Sequence, residues 1–167
     1  KLLDITIDLD SEIKEEVYIN EEDSFDDDEF DFLEEESESI DASNQLFFTS
    51  DKMELINNIH DYLDEQPEIG KVMSFATLLK VGKKLNNNNS LDIIQLALLY
   101  SELPDKYKKI IVSPYLSIED NQAKFSLRVI DSMPDLRRNE LINRLKLEIP
   151  NEVNISEERV HYSNVLI

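Results

Sequence analysis

Residues Leu3 to Leu9 alternate strictly, with Leu3, Ile5, Ile7 and Leu9 apolar and Asp4, Thr6 and Asp8 polar between them. Side chains on a strand point to opposite faces in turn, so this period of two predicts a half-buried strand. After a long polar stretch the period changes. Leu55, Ile56, Ile59, Tyr62 and Leu63 fall on one stripe of a helix, with Asp51 and Glu54 spaced as a capping pair and Pro67 as a stop. Residues 69–73 are short enough for a second strand. Ser74 is placed to cap a second helix through Leu78, Leu79, Val81 and Leu85, which the run Asn86 to Asn89 breaks. Ser90 opens a third helix reaching about Leu103, and Pro104 suits the first position of a further helical turn.

Beyond Pro114, residues 115–118 lead through Glu119, Asp120 and Asn121 into Ala123, Phe125, Leu127 and Val129, which alternate with Lys124, Ser126 and Arg128. A hairpin is expected here. Leu136, Leu141, Ile142 and Leu145 predict another amphipathic helix opening after Pro134, and residues 160–167 end the chain with strand-like composition. The predicted order is β-α-β, a helical block, then β-α-β. Two such halves make an α+β two-layer sandwich of the split-βαβ, ferredoxin-like kind, with the helices on one face of an antiparallel sheet. The helical block at about 75–112 is an insertion in that plan. Residues 1–9 then form the opening strand, 10–44 an acidic loop, and 45–167 the rest of the domain.

Charge changes the picture in one place only. The net charge is -20, yet residues 8–41 hold 18 acidic side chains against Lys14, a balance of -17, which leaves about -3 for residues 42–167. The low pI therefore belongs to one segment, where like-charge repulsion opposes compaction and a loop is expected. Phe25, Phe30, Phe32 and Leu33 interrupt it, as docking residues would. The body offers no strongly basic face, which disfavours nucleic acid as a partner.

Chemistry-bearing motifs are scarce. Two glycines, Gly70 and Gly82, are too few for a P-loop, a GxGxxG turn or a GxSxG elbow, and no cysteine is present to act as nucleophile, disulfide or thiolate ligand. His60 and Asp64 stand at i and i+4, a spacing that reaches one metal ion, but no third ligand accompanies them and a solvated polar face is the expected reading. His161 is expected to be an ordinary strand residue. The acidic run has oxygen ligands for Ca²⁺ but lacks the glycine turn and ordered spacing of a calcium loop. No carboxylate pair is singled out by its setting, so no cofactor, metal or catalytic residue is expected. The longest nearly apolar run, residues 93–100, falls far short of the roughly 20 residues a bilayer span needs. The chain opens on Lys1 and reads as an excised piece of a longer protein.

Three phrases resemble a known family: His60-Asp61-Tyr62-Leu63-Asp64-Glu65-Gln66-Pro67-Glu68-Ile69-Gly70-Lys71-Val72-Met73-Ser74, then Leu96-Ala97-Leu98-Leu99-Tyr100, then Gln122-Ala123-Lys124-Phe125-Ser126-Leu127-Arg128-Val129-Ile130-Asp131-Ser132. Their wording and order are similar to the large extracytoplasmic loop of resistance-nodulation-division (RND) exporters, in the branch related to the MMPL proteins and hydrophobe or amphiphile efflux. The likeness spans roughly residues 45–167, with Leu3 to Leu9 as the family's opening strand; the acidic segment 10–44 is longer and more charged than the family pattern. The resemblance implies a proton-driven parent in a bacterial or archaeal inner membrane, with this domain on the periplasmic side and the proton-carrying residues in helices outside the chain. Its partners would be the parent's remaining domains and transmembrane helices, in an assembly compatible with an oligomer. Its own work would be mechanical, moving as one wall of a route for hydrophobic or lipid-like substrates. Phe75, Leu78, Leu79 and Tyr115, in or beside the insertion, are the candidate lining residues. Two other classes compete: an acidic interaction module that docks a basic partner through residues 10–44, and a hydrolase built on a carboxylate pair, which predicts turnover by the isolated chain.

Overall fold

The computed structural model describes residues 2–9, 47–130 and 137–163. Strand β1 spans Leu2–Asp8, and the first helix, α1, runs over Ser50–Asp64. Then come β2 (Ile69–Met73), α2 (Phe75–Leu85), α3 (Ile93–Glu102) and a helical turn at Asp105–Tyr107 that continues as a π-helical turn over Lys108–Val112. A two-residue strand β3 (Leu116–Ser117) precedes β4 (Gln122–Val129), and α4 (Arg138–Glu152) leads to β5 (Val160–Ser163). The fold is α+β, a sheet with helices packed on one side.

The strands lie in the order β2-β4-β1-β5, every described neighbour pair antiparallel, with β3 against the first residues of β4. The strands that flank α1 are separated by β4, and those that flank α4 are separated by β1. This interleaving is the strand order of a split βαβ plan. It needs β1 at the centre, and Leu3, Ile5 and Ile7 of β1 are at most 4% exposed. Directly opposite them in β4 stand Leu127, Phe125 and Ala123, all buried. In β2 a register shift between Ile69 and Lys71 lets Ile69 and Val72 both face the core although they are three apart.

The helix layer is tied to this face by Met53, Ile56, Ile59 and Leu63 of α1 and Leu141, Leu145 and Ile149 of α4, all in one cluster with the strand residues. Two polar contacts join the helix layer across its outer surface. Tyr62 donates its hydroxyl to Glu148, and Arg144 meets Glu68 at 2.8 Å. Burial and then the Glu148 carboxylate push the Tyr62 pKa above its ordinary value.

Helix ends correct three expectations. Thr49, whose Oγ1 accepts from the Lys52 N–H, caps α1 in place of the Asp51 and Glu54 pair. Asp92 caps α3 two residues after Ser90, with its Oδ1 accepting the Gln95 N–H at 2.7 Å while Gln95 reaches back to the Asp92 N–H. Pro104 caps the next turn and is not its first residue. In the first two cases a nearby side chain competed for the role, and the one with extended backbone at the junction won. Ser74 caps α2 as its spacing predicts. Asn87 and Asn88, with φ of 54° and 66°, supply the left-handed turn that ends it, a conformation asparagine tolerates better than most residues. The acidic segment 10–44, Pro134 and Leu136, and residues 164–167 of the expected final strand lie outside the described residues.

Candidate functional site

The insertion does not close flat onto the body. Ser50, Met53, Glu54 and Asn57 recur at i, i+3, i+4 and i+7, so they share one stripe of α1. Leu79, Lys80 and Lys83 of α2 line the wall across from it, and the link through Ser90, Leu91 and Asp92 carries the chain into Ile93, Ile94 and Leu96 of α3. Between these three helices lies a groove of ≈ 750 Å³. That size is within the range of small-molecule sites. The lining is apolar at Met53, Leu79, Leu91, Ile93, Ile94 and Leu96 and charged at Glu54, Lys80, Lys83 and Asp92. Ile94 is half exposed although it belongs to the lining.

Among the residues expected from sequence to face a ligand, the structure brings Leu79 into this groove. Phe75 is buried, its ring 6.0 Å from that of Phe48. Leu78 packs partly buried against the core. Tyr115 sits by the hairpin, where its carbonyl accepts the Lys124 N–H at 2.8 Å. The other lining residues carried no sequence signal beyond their helical spacing. One visible hint was Gly82, a glycine in mid-helix, where it costs about 1 kcal/mol against alanine and so points to a packing reason. That reason is Leu91: a Cβ on Gly82 would stand 2.9 Å from its Cδ1.

His60 overturns both readings made of it from spacing. Its ring turns inward, away from exposed Asp64, and Nδ1 lies 2.8 Å from the Ser74 Oγ. The same Oγ accepts the Ala76 N–H at 3.2 Å as the cap of α2. With neutral His60 accepting the Ser74 hydroxyl proton, both bonds are made at once. Burial holds the His60 pKa below its ordinary value, the Lys80 charge lowers it further, and Asp61 and Asp64 oppose both. A serine beside a histidine has the parts of a nucleophile and base, but Ser74 is 1% exposed and already spent on the helix end. The arrangement locks the start of α2 to the middle of α1, and so sets where one groove wall stands.

The opposite face of the sheet carries a second polar set. Asp4 is buried, accepting from the Ser126 hydroxyl at 2.8 Å with the Lys124 Nζ at 3.0 Å. Asp8 meets His161 at 2.8 Å and Gln122 at 2.7 Å, and Arg159 donates twice to its carbonyl. Partial burial raises the Asp8 pKa, but the hydrogen bonds from His161 and Gln122 and the charges of His161 and Arg159 outweigh it, so the net shift is downward. These groups satisfy one another across the strands. Among the described residues no group of three or more metal-ligating side chains is gathered, and no helix is long and apolar enough to cross a membrane. Compared with protein-family models, curated proteins and solved structures, the chain matches none of them.

Proposed function

We propose that this chain is a non-catalytic, extracytoplasmic module of a proton-driven RND-type exporter and forms part of the route for hydrophobic or lipid-like substrates. The groove between the helical insertion and the body carries the proposal: its lining is largely apolar and is built from two structural units. Relative motion of the insertion and the body changes its width without breaking any covalent bond, which is what a moving wall requires. The three phrases that resemble the exporter loop fall on α1 with β2 before the insertion, on α3 within it and on β4 after it. In this reading the partners are the parent's other domains and its membrane helices, in an inner membrane with this module on the periplasmic side.

The test begins with the coding sequence on both sides. Spans of about 20 apolar residues are expected in the same gene, and a gene product lacking them removes the proposal. In cells expressing the full-length parent, Ile94→Asp is expected to raise accumulation of a lipophilic dye toward that of a transporter-null strain. Unchanged efflux at normal protein levels would separate the groove from the route.

A further inference from the structure

The charges on the groove's rim differ in how far they are already used. Lys80 meets the Asp61 Oδ1 at 2.6 Å, and the Asp92 carboxylate is occupied by the first turn of α3. Glu54 on α1 and Lys83 on α2 are exposed lining residues, and neither side chain makes a hydrogen bond or ion pair among the described residues. One unspent negative charge thus stands on one wall and one unspent positive charge on another, and apolar side chains share the lining with both. A headgroup of single sign gains one attraction here and suffers one repulsion. A headgroup with an ammonium and an anionic group gains two attractions, if each end faces its own wall.

We infer that the groove is a binding site for a zwitterionic amphiphile, with its apolar tail on Leu79, Leu91, Ile93 and Ile94 and its headgroup between Glu54 and Lys83. The inference rests on reading the groove as the ligand-facing part of the module, and adds the headgroup class and the residues that read it. Gly82 is a positioning residue in this site. Because it lacks a Cβ, Leu91 lies directly on the α2 backbone; an alanine would displace Leu91, whose Cδ1 is 2.9 Å and whose Cγ is 3.8 Å from the new atom. Leu91 is part of the floor, so Gly82 sets the space left for the tail.

The experiment uses the whole chain with N-phenyl-1-naphthylamine as a fluorescent reporter, displaced by four dodecyl compounds below their micelle concentrations: phosphocholine, sulfate, trimethylammonium and maltoside. Dodecylphosphocholine is expected to displace at the lowest concentration and to saturate. Glu54→Lys and Lys83→Glu should each weaken it about two- to fivefold, the scale of an exposed ion pair. The first should move the preference toward dodecyl sulfate and the second toward dodecyltrimethylammonium. Both positions are exposed, so far-UV circular dichroism should not change. Gly82→Ala should weaken all four compounds alike and leave their order intact, a pattern that separates tail space from headgroup reading. Displacement that does not saturate, a zwitterion no better than the other three, or charge reversals that leave the order unaltered would overturn the site. These readouts need no parent transporter. A gene without membrane spans alongside the expected order would remove the exporter reading and keep the site; spans alongside no saturable displacement would do the reverse.

Discussion

The body and the insertion dispose of their apolar side chains differently. In the body, Ile5, Ile7, Ile56, Ile59, Leu63, Phe125, Leu127 and Leu145 are 0% exposed. In residues 75–112 the apolar side chains divide. Phe75, Ala76, Leu96, Ala97 and Val112 reach the core, whereas Val81, Leu85, Ile94, Leu99, Tyr107, Ile110 and Ile111 are among the exposed large hydrophobics. Among the described residues outside the insertion, that group holds only Leu2 and Leu147. A strand-helix sandwich offers each apolar residue a facing layer. A short helix laid over its edge has one buried side, so its remaining apolar positions stay open for contact. The buried core lies mainly in the first region and the open apolar surface mainly in the second.

The widest separation between them should come from truncating the core. Phe125→Ala, on the strand that pairs with β1, β2 and β3, is expected to lower unfolding free energy by about 3–5 kcal/mol in urea titration. A loss under about 1 kcal/mol would mean that the sheet face is not the stabilising region. Ser74→Ala strikes the joint between the two regions. It removes a helix cap and leaves His60 Nδ1 without its partner, and about 2 kcal/mol is expected from the two together. The loss should appear as faster amide exchange in α2 than in α1; equal exchange in both would deny that the joint anchors the insertion.

The joint should also respond to pH. The folded His60 pKa lies below the ordinary 6.5, so the unfolded chain takes the proton more readily. Its contribution is therefore whole above about pH 6.5 and is lost as pH falls below that value toward the folded pKa. Ser74 is its hydrogen-bond partner, and the charges that act on it are those of Lys80, Asp61 and Asp64. The urea midpoint should fall between pH 7 and 5.5 in the native protein, and fall less in His60→Gln; parallel curves would remove His60 from the account. The smallest effect belongs to the exposed insertion. Leu85 is 82% exposed, and Leu85→Gln should change stability by no more than about 0.5 kcal/mol. A larger loss would show that the open apolar positions of the insertion are structural after all.

Much of the fold was legible because periodicity reports burial. The alternation of Leu3, Ile5 and Ile7 and that of Ala123, Phe125 and Leu127 became two facing strands, and Ser74 became a cap from its position before an apolar helix. His60 shows where such reading stops. Spacing placed it near Asp64, yet it is buried and bonded to a serine 14 positions away. The groove is a stronger case, since Glu54 and Lys83 are unremarkable charges on separate helices until α1 and α2 are set side by side. Gly82 lay between these extremes: its helix cost was visible, and its beneficiary, Leu91, was not.

By itself, then, the order of residues determined the element types, the apolar face of each strand and helix, and the scarcity of nucleophile and phosphate-binding motifs, because those depend on neighbours a few positions apart. The inward turn of His60, the caps at Thr49 and Asp92 and the walls of the groove were decided only in three dimensions. They depend on which distant surfaces come within hydrogen-bond or van der Waals range, and that is a property of the packed chain and of no local segment.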